Sequence, residues 1–325
     1  MPSTDTAESF EIASCVRCGL ACTLPVPQDL ERYYHTDLGS SVRQPGAATF
    51  RFAQSFMLGA EARRIRRAAN GATVIDVGAG SGAFAWELQR RGHTVITADG
   101  RPERPPLTRA LASVPHRVVD FETGKIRGLE APGPRVAVLR HVLEHLRSPA
   151  AFLAQLAADG AGIFYVVVPN VGSLERRLLG RSWYLWDPPR HLWHFDRATL
   201  TELLHRAGLE VFDSGHDTVP NLVPSLYRWL RLRRGNAALL RWLHPKASLS
   251  TLAAPLNWLV PGNVVWALAS VRGHCQGRPE TSVRSKTSPK VNPAVTQQAS
   301  ARSGTQSATA TGRGPRAQRS RPSLA

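Results

Sequence analysis

The sequence predicts an α/β protein with a doubly wound, mostly parallel sheet. A short apolar run with an acid, at 74–77, leads into a loop with three alternating glycines and then into helix-forming residues. A second short apolar strand follows at 93–99. A strand, a glycine loop and a helix in this order are typical of the first unit of such a sheet. At 325 residues, the chain can bury a complete α/β core and still carry smaller additional parts.

The glycine loop predicts a site for a nucleotide-like ligand. Gly78, Gly80 and Gly82 remove side chains where the backbone turns sharply, which lets ligand atoms approach the main chain. The helix that follows offers free N–H groups at its start. Because Gly78, Gly80 and Ala83 also fit the spacing of a dinucleotide fold, the loop alone leaves the ligand open.

Two carboxylates help to choose the ligand. Asp76 lies just before the first glycine, where its charge would repel a pyrophosphate and attract a cation. S-adenosylmethionine, which carries an ammonium and a sulfonium group, fits this position better than a dinucleotide. Asp99 ends the second strand and is placed to accept hydrogen bonds from the ribose hydroxyls. The alternative for Asp99 is a turn residue before Gly100.

Further stretches extend the pattern beyond the loop: they are 120–121, 139–149, 160–170, 187–195 and 200–209. With the loop, they resemble the class I S-adenosylmethionine-dependent methyltransferases, in a bacterial branch related to ubiquinone-biosynthesis methyltransferases. The resemblance covers roughly residues 70 to 215. Two turns, at 133–136 and 158–161, depart from the family pattern.

The resemblance implies a Rossmann-like sheet of seven strands whose last strand is antiparallel, and residues 264–271 suit that strand. It also implies S-adenosylmethionine as the cofactor. Asp120, Phe121 and Arg140 join the loop residues as expected cofactor contacts.

Histidines are the candidate catalytic residues. A hydroxyl acceptor must lose its proton during methyl transfer, and histidine is a suitable base. His141 follows the fourth strand of the fold and is the leading candidate. His145 is a further candidate, although a structural role in the same turn is favoured for it. His191, with His194 and nearby tryptophans, is expected on the acceptor side, where the aromatic side chains are equally explained by packing.

We predict five parts along the chain. They are an N-terminal segment with a partial zinc knuckle (1–45), a lid helix (46–70), a methyltransferase core (71–215), a basic amphipathic insertion with the last strand (216–275) and a disordered basic tail (276–325). The lid helix, an amphipathic pattern at 50–69, ends in clustered arginines that are expected to form an ordinary solvated face.

Cys15 and Cys18 have the spacing of one zinc knuckle, but a second knuckle is missing. Cys22 and His35 could complete a site only at unusual spacings, so no metal is predicted. Four cysteines are too few for a disulfide scaffold, and the first ten residues show no export signal. A cytoplasmic location is therefore expected.

The formal net charge of +17 raises the question of partners. Residues 222–246 alternate Trp and Leu with Arg, which suits either peripheral contact with an anionic membrane or a helical cap on the substrate pocket. The uncharged run at 247–271 is interrupted by Pro and Gly and is not expected to span a membrane. The tail lacks any recognisable nucleic-acid module, so no specific nucleic acid is expected.

The sequence thus predicts methyl transfer to an oxygen, less favourably a nitrogen, of a small-molecule, sugar or lipid-linked acceptor. Two alternatives stay open: a protein that keeps the cofactor fold without turnover and docks on a membrane or partner, and a nicotinamide-dependent oxidoreductase. Asp76 and the absence of a later nicotinamide motif disfavour the latter. The acceptor and the oligomeric state are not predicted.

Overall fold

The structure is a computed structural model that describes residues 8–34, 48–105, 113–129, 134–219, 225, 228 and 262–272. The strands in these ranges are β1 (Glu11–Ser14), β2 (Ala21–Leu24), β3 (Thr73–Val77), β4 (Val95–Asp99), β5 (His116–Val118), β6 (Arg135–Arg140), β7 (Ala161–Pro169), β8 (Trp193–His194), β9 (Leu209–Asp217) and β10 (Val264–Val271). The helices are α1 (Ala48–Ala69), α2 (Ala83–Arg90), α3 (Pro149–Ala158), α4 (Leu174–Leu179) and α5 (Arg197–Arg206).

Seven of these strands form the main sheet, in the order β5-β4-β3-β6-β7-β10-β9. The pairs among β3 to β7 are parallel. β10 runs antiparallel to both β7 and β9. The predicted fold class is therefore confirmed, and the predicted last strand matches β10 at both ends.

The central strands are buried on both faces of the sheet, as parallel strands between helix layers are. In β3, Val74 belongs to one apolar cluster, whereas Ile75 and Val77 belong to the cluster on the other side. Since successive side chains of a strand point to opposite faces, a run of consecutive apolar residues supplies both layers at once.

Helix α1 packs directly on the sheet. Ala62 and Ile65 have no exposed surface and lie in the same cluster as Val74 and Val138. The face predicted to be solvated is exposed at Arg63, Arg66 and Arg67.

The prediction of a solvated face is wrong for Arg64. Its guanidinium forms two hydrogen bonds to Asp217, of 2.5 and 3.0 Å, and lies 4.3 Å from the ring centroid of Trp266. Asp217 and Trp266 belong to β9 and β10, at the other end of the chain, so the sequence near Arg64 gave no sign of the contact. Arg64 thus links α1 to the last two strands.

The N-terminal segment joins the core through a second, smaller sheet of order β1-β2-β8. β2 pairs with β8 at Ala21 to His194 and at Cys22 to Trp193. Arg147, just before α3, donates to the carbonyls of Pro27 and Gln28 at 2.8 and 2.9 Å. The segment predicted as a separate part is therefore in contact with the loops that follow β6 and precede α5.

Several predictions fall on residues outside the described ranges. They concern the tail, the uncharged run before 262, His35 and, except for Ser225 and Arg228, the segment 222–246. Of the helices in the described ranges, none combines the length and the apolar character needed to cross a bilayer.

A substitution at Thr23 tests how much the contacts of the N-terminal sheet contribute to the free energy of unfolding. The buried hydroxyl of Thr23 donates to the His191 carbonyl at 2.6 Å and lies 2.9 Å from Nε2 of His194. Thr23→Val keeps the shape but leaves both groups unpaired, so we expect the free energy of unfolding to fall by about 1–3 kcal/mol in urea titrations. Thr201→Val, which loses one bond to the Arg197 carbonyl on the surface of α5, is the control. Equal effects of the two changes would contradict the assignment.

Candidate active site

The glycine loop lies at the carboxyl end of β3, where β4 and β6 flank the strand and the chain order reverses. Gly78 N–H donates to the Ala98 carbonyl at 2.7 Å, and a Cβ on Gly78 would lie 2.6 Å from Cγ2 of Val142. Only glycine therefore fits there. Gly82 precedes α2 with φ of 80°, and no side chain caps that helix. In the first turn, the Ala85 amide bonds to Asp76, and the N–H groups before it are left to a ligand.

Asp76 lies beneath this loop as a buried carboxylate. The side chain is 3% exposed, and Oδ2 has no hydrogen-bond partner. Burial raises the pKa of Asp76 to about 7, with smaller opposing effects from Arg140 and the Ala85 amide. A neighbouring cation would favour the ionised form. The site is therefore suited to a ligand with a positive group.

Asp99 and Phe121 lie on the other side of the loop. Asp99 Oδ2 accepts a hydrogen bond of 2.9 Å from the Gly80 amide, so Asp99 helps to hold the loop. The ring of Phe121 stacks on Phe152 with centroids 5.9 Å apart and lies against Gly100, where a Cβ would be 3.3 Å from it. A flat apolar surface thus adjoins the end of β4.

Two of the expected cofactor residues use their side chains elsewhere. The exposed Asp120 carboxylate accepts from the Glu122 amide at 2.9 Å and from the Thr123 hydroxyl at 2.8 Å. These bonds outweigh its slight burial and lower its pKa. Arg140 forms a bidentate ion pair with Glu61 of α1, at 2.7 and 3.1 Å. Asp120 therefore shapes its own turn, and Arg140 ties α1 to the end of β6.

His141 follows β6 directly and has a positive φ of 55°. Its amide donates to the Val167 carbonyl at 2.8 Å, and its Nδ1 lies 3.2 Å from Oε1 of Glu144. The side chain is 32% exposed, whereas that of Glu144 is fully buried. Because Val142 touches Gly78, His141 is only one residue away from the glycine loop. A histidine held by a carboxylate at Nδ1 leaves Nε2 to act as a base.

Glu144 keeps its charge despite its burial. Desolvation opposes ionisation, but the hydrogen bond from His141 and the imidazoles of His145 and His191 outweigh it and lower the pKa of Glu144. Oε1 contacts His141, whereas Oε2 is buried and has no hydrogen-bond partner. Glu144 was not among the site residues predicted from the sequence.

The half-buried His145 and the buried His191 are paired, with ring centroids 4.7 Å apart. Nδ1 of His145 lies 2.9 Å from the Arg190 carbonyl, and Nδ1 of His191 lies 2.9 Å from the Leu185 carbonyl. A carbonyl can only accept, so Nδ1 carries a proton in both rings, and in a neutral ring the lone pair is then on Nε2. Burial, reinforced by His191, lowers the pKa of His145 to about 4. His145 is therefore neutral near pH 7.

The N-terminal segment reaches these histidines. The Tyr34 hydroxyl lies 3.0 Å from Nδ1 of His145, and burial raises the pKa of Tyr34 to about 12. Nε2 of His194 pairs with Thr23, and burial lowers the pKa of His194 to about 3. Trp183 and Trp186 form a small buried cluster with Ile12 packed against it. Among the acceptor-side candidates, these tryptophans and His194 thus have packing roles.

The structure brings the predicted site residues into two adjoining groups at one end of the sheet. The donor group comprises Asp76, Gly78, Gly80, Gly82, Asp99 and Phe121. The histidine group comprises His141, His145 and His191, with Glu144 among them. Asp120 and Arg140 flank the donor group.

The family model for the methyltransferase domain matches residues 50–214, half of the chain. The chain belongs to the methyltransferase-domain family. The predicted methyltransferase family is therefore confirmed.

Similar proteins include the ubiquinone biosynthesis O-methyltransferase of Cereibacter sphaeroides, 28% identical over 153 residues, or 44% of this chain and 62% of that protein. The protein of the same name from Dinoroseobacter shibae is 30% identical over 153 residues, which again cover 44% of this chain and 62% of that protein. This methyltransferase-domain chain thus spans less than two thirds of the length of these relatives. The magnesium protoporphyrin IX methyltransferase of Synechocystis PCC 6803, solved with bound S-adenosylhomocysteine, is 12% identical, with 74% of this chain and 97% of that chain covered and a TM-score of 0.45.

Sequence reasoning missed the residues that support this methyltransferase site from a distance. Glu61, Thr23 and Tyr34 lie 79, 171 and 111 positions from the residues they contact. The sequence holds no local signal for such pairs. Glu144 differs from these residues, because it lies three positions after His141. That spacing places both residues on one turn and is a local signal that could have identified Glu144.

Asp76→Asn tests the buried carboxylate without any ligand. The folded pKa is about 7 against an ordinary value of 3.8, so between these pH values only the unfolded chain releases the proton. The free energy of unfolding contributed by Asp76 therefore falls as pH rises through this window. We expect the variant to be more stable than the wild type, and its advantage to be about 2 kcal/mol larger at pH 8 than at pH 5, in urea titrations.

The exposed Asp213→Asn in β9 is the matched control for the same charge change. An advantage of Asp76→Asn that does not grow with pH would contradict a raised pKa.

Proposed function

We propose that this chain transfers the methyl group of S-adenosylmethionine to an oxygen of a small-molecule or lipid-linked acceptor. The observation that carries the proposal is the unpartnered Oδ2 of the Asp76 carboxylate, buried beneath the glycine loop of a methyltransferase domain. A buried carboxylate oxygen without a partner is costly, and a cationic ligand would relieve that cost.

The donor fits the remaining groups as well. The loop glycines and the free N–H groups of α2 would surround its polar end, and Asp99 keeps one carboxylate oxygen for a ribose hydroxyl. Phe121 offers a flat surface for the adenine ring. Arg140 would act through its ion pair with Glu61, which fixes the floor of the site.

We assign the base to His141. When bound, the donor supplies an activated methyl group, so the protein must chiefly position the acceptor and take up its proton. The acceptor oxygen would attack the methyl carbon as the carbon–sulfur bond breaks. Its proton would pass to Nε2 of His141, with S-adenosylhomocysteine as the second product. Glu144, held at Nδ1, would orient the ring and stabilise the imidazolium that forms.

The choice of oxygen rests on two supports. The relatives are named as O-methyltransferases, and a hydroxyl acceptor explains why a histidine and carboxylate pair lies next to the donor loop. The acceptor would lie among His141, His145 and Tyr34, where the N-terminal segment meets the loop before β8.

Calorimetry with S-adenosylmethionine and S-adenosylhomocysteine, followed by transfer of a radiolabelled methyl group to bacterial lipid extracts, tests the proposal. We expect both ligands to bind and label to appear in alkali-stable ether products. Binding without transfer would favour a docking protein that has lost turnover. Binding of neither ligand would contradict the proposal.

His141→Ala tests the base. We expect the rate of methyl transfer to fall at least about 100-fold, because general-base catalysis is lost. Donor affinity, measured by calorimetry, should change less than about twofold, since the substitution spares the donor group.

His205→Ala, at an exposed position in α5, removes an imidazole away from the site and should leave both quantities unchanged. A parallel loss of donor affinity and rate in His141→Ala would assign His141 to donor binding instead.

A further inference from the structure

We propose that Glu144, His145 and His191 bind a divalent transition-metal ion of the zinc or cobalt type. One candidate ligand atom from each residue lies within 4.8 Å of the other two. Among the residues that the structure describes, this is the group of metal-binding side chains that converges in this way. No metal was predicted from the sequence, on the basis of the cysteines near the N-terminus, and this group, in which His191 lies 46 positions beyond His145, was not considered.

Each of the three residues has an unused ligand atom. Oε2 of Glu144 is buried and has no hydrogen-bond partner. The carbonyls of Arg190 and Leu185 hold the Nδ1 protons of His145 and His191, which leaves a lone pair on each Nε2. A buried carboxylate oxygen that has no hydrogen-bond partner beside two imidazoles bonded at Nδ1 calls for an explanation, and a metal ion would supply one.

The outer contacts are those of an organised metal site. Metal-binding histidines usually donate their second N–H to a carbonyl or a carboxylate, which fixes tautomer and ring orientation. Both rings here do so. The Glu144 carbonyl accepts from the Leu192 amide at 2.7 Å, and Thr23 donates to the His191 carbonyl at 2.6 Å, so the backbones of two ligands are also held. Oδ2 of Asp187 lies 3.8 Å from Nε2 of His191 and adds negative charge beside the site.

The ligand set indicates which ions fit. Two imidazoles and one carboxylate suit zinc and its neighbours, with the fourth tetrahedral position open, whereas magnesium and calcium favour all-oxygen sites. With bonds of about 2.1 Å, two ligand atoms at a tetrahedral angle are about 3.4 Å apart. Ligand atoms that lie within 4.8 Å of one another must therefore move closer by up to about 1.4 Å on binding.

The site would adjoin the proposed base through a shared carboxylate. Oε1 of Glu144 contacts His141, and Oε2 would contact the ion. The open position would accept water or the oxygen of a hydroxyl acceptor, whose proton an ion of this kind would make easier to remove. This role rests on the proposed function, whereas binding of the ion does not.

The experiment is a cobalt titration of the full chain after dialysis against a chelator. Cys15 and Cys18 are exposed and would compete, so the background is the double variant Cys15→Ser, Cys18→Ser. We expect one equivalent of cobalt to bind, with visible d–d absorption and without the strong near-ultraviolet bands of thiolate ligation. His191→Gln and Glu144→Gln should each weaken binding at least about 100-fold.

His194→Gln is the matched control, because His194 lies three residues after His191, in β8, and pairs with Thr23 rather than with the group. It should retain cobalt affinity. Circular dichroism checks that each variant is folded, and His145→Gln replaces any that is not. Absence of cobalt binding in the background protein, or unchanged affinity in the ligand variants, would overturn the proposal. Since the readout is metal absorption, failure of methyl transfer alone would leave the result intact.

Discussion

The buried charge of Glu144 organises the end of the molecule where β6 leaves the sheet. The side chain has no exposed surface, and burying an ionised carboxylate costs several kcal/mol unless it is paired. The hydrogen bond from His141 offsets that cost and holds the pKa of Glu144 low. Its backbone carbonyl also accepts the Leu192 amide. A single residue therefore joins the exit of β6 to the loop that precedes β8, and the histidines depend on it for position.

Asp76 shows the opposite outcome for the same kind of group. Its nearest compensating cation, Arg140, is already paired in bidentate geometry with Glu61. The guanidinium charge of Arg140 therefore mainly stabilises the carboxylate of Glu61. Burial raises the pKa of Asp76 to about 7. Two buried acids whose environments shift their pKa values in opposite directions mark a site with distinct tasks. Glu144 is compensated by protein groups, whereas Asp76 lacks such compensation and suits a cationic ligand.

The sequence predicted what local patterns encode. β3, the glycine loop and β10 follow from short apolar runs and turn residues, and each was located within a few positions. The contacts of Arg64, Thr23 and Tyr34 could not be predicted, because their partners lie 153, 171 and 111 positions away. Tertiary packing alone brings these groups together. The prediction that Arg64 is solvated was wrong for this reason. The position of Arg64 on its helix cannot reveal a contact with a strand much later in the sequence.

The difference between local patterns and long-range contacts also distinguishes the donor half of the site from the acceptor half. The donor half lies on strand ends and one glycine loop, so its geometry follows from the sheet itself. The acceptor half is assembled from the turn after β6, the loop before β8 and the N-terminal segment, which meet only through long-range contacts. Loops positioned by a rigid scaffold are where specificity varies. A fold that fixes the donor and builds the acceptor side from distant loops can keep one reaction while its acceptor changes, which explains why the sequence indicates the reaction more clearly than the substrate.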